Sequence, residues 1–129
     1  MLFIQKIGFA PDAILAYYQG DEEKFIQAKT LAGLLKVVYP HLLSIGLFTM
    51  VLLHFVYFTS FKKSTFFVKF IYLSYVTVFV EIFSGFALIL GSSVFAYIKL
   101  LSFLLMFVLF IFMFFILLRS ILTQKNPRV

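Results

Sequence analysis

The chain has 129 residues, of which 64% are hydrophobic, and it carries a formal net charge of +6 and no cysteine. A mean hydropathy of +1.11 lies far above the range of soluble globular domains and excludes a water-soluble fold. The missing cysteines exclude disulfides, iron–sulfur clusters and covalently attached c-type haem. Most Lys and Arg residues lie near the ends of hydrophobic runs, which indicates membrane topology and not nucleic-acid binding.

Residues 1–36 precede the long hydrophobic runs and predict amphipathic helices at the membrane interface. Pro11 and Asp12 suit a first helical turn and Gly20 suits a stop, so we expect a short helix over residues 11–19. The acids at positions 21–23 favour the start of a second helix. Its apolar residues, at three- and four-residue spacing, predict a face for lipid headgroups or a partner: Phe25, Ala28, Leu31, Leu35 and Val38.

Three hydrophobic runs follow, at residues 37–61, 66–90 and 94–118, and each exceeds the roughly 20 residues that span a bilayer. They predict an all-α integral membrane protein with three transmembrane helices and a polar C-terminal tail at 119–129. Pro40 predicts a bend between the N-terminal segment and the first span. The short link after the first span predicts that the first two spans are antiparallel neighbours.

The second span carries a polar stripe. Within an arc of about 100° on a helix lie Ser74, Thr77, Glu81, Ser84 and Gly85. An acid inside a bilayer costs about 2.5–3.5 kcal/mol or more unless it faces protein or water, so Glu81 is a candidate functional residue. Matching the levels of the spans predicts Gly46 and Ser102 as its neighbours. We expect span one, span three or a partner helix to pack on the stripe, with Glu81 neutral or paired, and a partner helix is the economical solution.

Two histidines, His41 and His54, lie in the first span. Their separation rotates the second imidazole by roughly 140° from the first, so one straight helix cannot present both to one ligand. Either histidine could hold haem b together with a ligand from another chain. The alternative is an ordinary hydrogen-bonded role at a span end and a bundle contact. We predict no metal site, no catalytic residue, and no cofactor other than this haem alternative, with lipids as expected ligands.

Positive charges predict the orientation. One side of the membrane receives basic residues and no acid: Lys62, Lys63, Lys69, Arg119, Lys125 and Arg128. The other side receives five lysines together with four acids. By the positive-inside rule we expect the first loop and the C-terminus in the cytoplasm and the N-terminus outside a bacterial inner membrane.

The first half of the chain resembles small bacterial inner-membrane proteins without an assigned function. The likeness rests on Gly8, Pro11, Ile14, Tyr17, Tyr18, Gly20, Asp21, Glu22, Lys29, Leu34, Leu35, His41 and His54. In those proteins a longer N-terminus precedes this run, an acid stands where Lys36 stands and a histidine where Tyr39 stands. The resemblance implies an N-terminal segment that faces outward, and it implies no activity.

Three functions remain open. The first is a non-catalytic subunit of a larger respiratory or transport complex, with the bilayer and other membrane subunits as partners. The second is transport of protons, ions or small solutes with Glu81 as the protonatable group. The third is an electron-transfer subunit that holds haem b. No nucleophile, oxyanion donor set or metal triad accompanies Glu81, so we expect an accessory subunit and not an enzyme.

Overall fold

The computed structural model of the protein describes residues 10–23 and 25–124. Predictions about residues 1–9, Lys24 and residues 125–129, including the charges of Lys6, Lys125 and Arg128, lie outside the described residues. The described chain forms α1 (Pro11–Gln19), α2 (Leu31–Tyr57), α3 (Phe67–Ile89) and α4 (Val94–Gln124), with a 3-10 helix at Ser60–Lys63. This arrangement confirms the predicted all-α fold class.

Helices α2, α3 and α4 are each long and apolar enough to cross a membrane. At 1.5 Å per residue the 31 residues of α4 extend about 46 Å, more than the roughly 30 Å of the hydrocarbon core. Their outer faces carry large exposed side chains such as Leu43, Val76 and Phe115. Because such faces are stable only in lipid, the protein is a multi-pass membrane protein in a bilayer.

Helix α3 is the centre of the bundle, since it packs most extensively against α4 and also contacts α2 and α1. One core cluster joins α2, α3 and α4 near the 3-10 helix and includes Val56, Phe70 and Met113. A second cluster lies at the opposite end, where Ile14 and Tyr18 of α1 meet Leu34, Leu88 and Ala96. The short helix α1 is therefore part of the folded bundle.

The segment between α1 and α2 does not form the second helix that the acids at 21–23 predicted. Its backbone turns back on itself: Asp21 and Ile26 exchange two main-chain hydrogen bonds, and the Lys29 amide donates to the Tyr18 carbonyl. Phe25 has a φ of +54° and is 95% exposed. These backbone bonds of the turn replace helical ones, so Phe25 and Ala28 belong to no amphipathic helix.

Helix α2 begins instead at Leu31, where the Thr30 side chain accepts a hydrogen bond from the Gly33 amide as an N-cap. The helix continues through Pro40. Pro40 removes one main-chain donor, but the rest of the helix is long and apolar and continues on both sides. The predicted lead-in and the first span are therefore a single helix from Leu31 to Tyr57.

Gly85 of α3 creates the space into which α1 docks. A Cβ atom at Gly85 would lie 3.3 Å from Cε1 and 3.4 Å from Oη of Tyr18. The same addition at Gly46 of α2 would meet no atom within 4 Å. Small residues permit this kind of close approach between helices in membranes.

We expect Gly85→Leu to displace Tyr18 and weaken the docking of α1 by about 1–3 kcal/mol, because an overpacked contact forces neighbours apart. The matched control Gly46→Leu should leave α1 in place. The measurement is the rate of tryptic cleavage after Lys29 in detergent-solubilised protein. Equal cleavage rates for the two variants would show that Gly85 has no part in docking α1.

Candidate functional site

A buried ion pair joins α3 to α4. The ammonium Nζ of Lys99 donates to Oε1 of Glu81 at 3.0 Å and to the main-chain oxygen of Glu81 at 2.9 Å. The Lys99 side chain is 5% exposed and the Glu81 side chain is 11% exposed. The acid of the second span is thus neutralised by a lysine of the third span within the same chain.

The helical hairpin explains why these two residues meet. Glu81 lies about 12 Å before the end of α3 at Ile89, and Lys99 lies about 8 Å after the start of α4 at Val94. The long, flexible lysine side chain bridges this difference in depth. The pair therefore lies closer to the α3–α4 turn than to the opposite end of the bundle.

Tyr18 of α1 covers the ion pair. Its ring centroid lies 5.8 Å from Nζ of Lys99, within the range of a cation–π contact, and Tyr18 is 7% exposed. Burial and then the Glu81 carboxylate raise the pKa of the Tyr18 phenol above its usual value, so the phenol remains neutral at physiological pH. The Gln19 side chain holds α1 in this position by donating to the Leu88 carbonyl at 3.1 Å.

All residues of the polar stripe are buried on α3: Ser74, Thr77, Glu81, Ser84 and Gly85. The Ser74 hydroxyl donates to the Phe70 carbonyl, and the Ser84 hydroxyl donates to the Glu81 carbonyl.

The neighbouring helices show the same pattern of local hydrogen bonds. The Ser102 hydroxyl donates to the Lys99 carbonyl, and the Thr49 hydroxyl donates to the Ile45 carbonyl. Within the described residues no buried side-chain nitrogen or oxygen lacks a hydrogen-bond partner. These four hydroxyls therefore donate to carbonyls of the helix that carries them, and they do not form a chain of hydrogen bonds from one hydroxyl to the next.

Two expectations about Glu81 need correction. Gly46 was expected beside Glu81, but a Cβ at Gly46 would have no neighbour within 4 Å. Of the helices expected to pack on the stripe, a partner helix was favoured to neutralise the acid, and the structure supplies Lys99 of the third span instead. The signal was present in the sequence: an acid and a base eighteen residues apart flank a short turn between two antiparallel helices.

Each histidine is exposed on α2, whereas the ion pair is buried between α3 and α4. Nδ1 of His41 lies 2.7 Å from the Val37 carbonyl oxygen. The His54 ring packs edge-on against Phe58, with 5.1 Å between ring centroids. Among the described residues no group of three or more His, Cys, Asp or Glu side chains is arranged to hold a metal ion.

A family model described as a transmembrane helical domain matches residues 8–128. The chain belongs to this family of transmembrane helical domains. The match confirms the resemblance to uncharacterised membrane proteins and extends it from the first half to almost the whole chain. No curated protein and no solved structure matches the chain.

The coupling between Glu81 and Lys99 can be measured in a double-mutant cycle. We expect Lys99→Met to destabilise the bundle by about 3–5 kcal/mol, because one partner of a buried ion pair is then left alone, and protonation of Glu81 would reduce this cost. The double variant Glu81→Met with Lys99→Met should recover most of the loss. The measurement is the free energy of unfolding in mixed detergent micelles, followed by circular dichroism. If the loss of stability in the double variant equals the sum of the losses in the two single variants, the ion pair is contradicted.

Proposed function

We propose that the protein is a small non-catalytic subunit of a larger membrane complex in a bacterial inner membrane, with its N-terminus outside. The ion pair of Glu81 and Lys99 then has a structural role: it holds α3 and α4 in register while Tyr18 fastens α1 to them. Three observations support this role, namely the burial of both charges, the two hydrogen bonds of Lys99 and the local bonding of the surrounding hydroxyls.

The observation that carries the proposal is the position of His54. Its imidazole makes no hydrogen bond with the described residues, is exposed on α2 and lies about one turn inside the end of the helix at Tyr57. A polar ring on a surface that faces lipid gains from a hydrogen-bonding neighbour. Glu81 has such a neighbour inside the chain, whereas His54 is available to another chain.

A shallow groove of about 240 Å³ between α2 and α3 surrounds this ring. Met50, Tyr57 and Tyr75 line it with His54. Such a groove takes side chains of a neighbouring transmembrane helix, and a polar side chain of that helix can bond the imidazole. The partner is thus a membrane-spanning helix with a hydrogen-bonding group at the level of His54.

The test compares His54→Leu with His41→Leu as the matched control. The tagged protein is extracted from native membranes in a mild detergent, and the co-purifying chains are quantified by mass spectrometry. We expect His54→Leu to reduce their recovery roughly threefold or more, since interhelical hydrogen bonds in membranes contribute about 0.6–2 kcal/mol. The His41 variant should match the unmodified protein.

Recovery of the protein alone would contradict the proposed complex. Equal losses in both histidine variants, or recovery unaffected by His54→Leu, would contradict the role of His54 in binding the partner. A Soret absorbance band that disappears in the His54 variant would instead support the haem b function, in which His54 and a residue of another chain ligate the iron.

Transport is the second candidate, and the buried acid–base pair at membrane depth favours it. A carrier would have to release and rebind a proton at Glu81. In proteoliposomes with an imposed pH gradient, a structural role predicts the same proton flux for Glu81→Gln and for the unmodified protein. A flux that the unmodified protein shows and that Glu81→Gln abolishes with an unchanged circular dichroism spectrum would establish transport and exclude the purely structural role of Glu81.

A further inference from the structure

A cleft of about 540 Å³ lies at the end of the bundle away from Glu81. Its walls come from the link that follows α2 and from the C-terminal part of α4. Tyr57 and the 3-10 helix Ser60–Lys63 lie at this end of the spans, so the cleft is at the level of the membrane surface. It is separate from the groove beside His54, which lies between α2 and α3.

The cleft contains hydrogen-bond donors that the described residues leave unused. Arg119 lines it, is exposed, and makes no side-chain hydrogen bond or ion pair within the described chain. The hydroxyls of Ser60 and Ser120 also line it and also make no hydrogen bond there. A guanidinium with five N–H donors and two hydroxyls is a donor set that suits a phosphate group.

The electrostatic surroundings favour an anion. The same end of the bundle carries Lys62, Lys63 and Lys69. All five acids of the sequence lie elsewhere, at positions 12, 21, 22, 23 and 81. Nζ of Lys62 lies 4.3 Å from the centroid of the Tyr57 ring, which holds this charge beside the membrane surface. Clusters of basic residues at a span end attract anionic lipids.

The remaining lining of the cleft is apolar. Phe58 and Phe61 of the link face Phe112, Phe115 and Ile116 of α4 across the same space. Inorganic phosphate would satisfy the donors and leave these aromatic walls without a partner. A molecule with a phosphate at one end and hydrocarbon at the other matches both parts of the cleft.

We propose that this cleft binds an anionic phospholipid, with its phosphate at Arg119, Ser60 and Ser120 and the beginning of an acyl chain between the phenylalanines. The lipid joins the link after α2 to the end of α4. The proposal does not rest on the proposed role in a complex, because the cleft shares no lining residue with the groove beside His54, although Phe58 of the cleft also contacts the His54 ring.

The experiment measures lipid affinity of the full chain in detergent by native mass spectrometry, with dioleoylphosphatidylglycerol and dioleoylphosphatidylcholine as probes. We expect the anionic lipid to bind at least fivefold more tightly. Arg119→Gln should weaken its binding about fivefold, in keeping with one basic side chain at a membrane surface. The control Lys69→Gln removes a charge at the same end of the bundle but outside the cleft. It should change the affinity for the anionic lipid less than twofold.

Two further measurements make the result specific. Ser120→Leu, which fills the cleft and keeps the charge, should also weaken binding of the anionic lipid, with an unchanged circular dichroism spectrum as the check on folding. Excess inorganic phosphate should fail to displace the lipid. Equal losses for Arg119→Gln and Lys69→Gln, equal affinity for the two lipids, or displacement by phosphate would each overturn the proposal.

Discussion

A charge inside a bilayer must be paired, and this requirement organises the bundle. Water solvates an isolated carboxylate far better than hydrocarbon does, so Glu81 is tolerated on α3 only with a counter-charge or a proton. Lys99 supplies the counter-charge from α4, and its second hydrogen bond to the Glu81 carbonyl fixes the depth of α4 against α3. Tyr18 then closes the site from α1. The register of one helix pair and the position of α1 both follow from this contact.

The polar groups of the described chain fall into two classes. Inside the bundle, four buried hydroxyls donate to carbonyls of their own helices, those of Thr49, Ser74, Ser84 and Ser102. Polar groups with unused hydrogen-bonding capacity include His54 at a groove and Arg119, Ser60 and Ser120 at a cleft near one membrane surface. Hydrocarbon cannot satisfy such groups, so neighbours must come from other helices, headgroups or water. The polar groups that are free to bond other molecules therefore lie on the bundle surface.

The length and period of the hydrophobic runs predict the spans, because the thickness of the bilayer sets the length of a helix that crosses it. Pro11 and Gly20 predict the start and the end of α1, because proline suits a first helical turn and glycine suits a stop. The start of α2 is different. Main-chain hydrogen bonds within the turn after α1, from Asp21 to Ile26 and from Lys29 to Tyr18, delay the helix, and the positions of the acids do not predict these bonds. Lys99 was missed because matching helix levels by Cα position ignores the reach of a lysine side chain. The helical period of the stripe from Ser74 to Gly85 predicts its burial. The counter-charge of Glu81 depends instead on a tertiary contact with Lys99.

The most direct test is the distance between the two charges in a bilayer. Solid-state NMR on protein in phospholipid vesicles, with ¹⁵N in the lysine side chains and ¹³C in the glutamate carboxyls, detects dipolar coupling between Nζ and Cδ. Contact at 3.0 Å between Nζ and Oε1 predicts strong dephasing of one carboxylate signal. That signal should disappear in Glu81→Gln and lose its dephasing in Lys99→Met. A Glu81 signal without dephasing in the unmodified protein would contradict the ion pair on which this account of the fold depends.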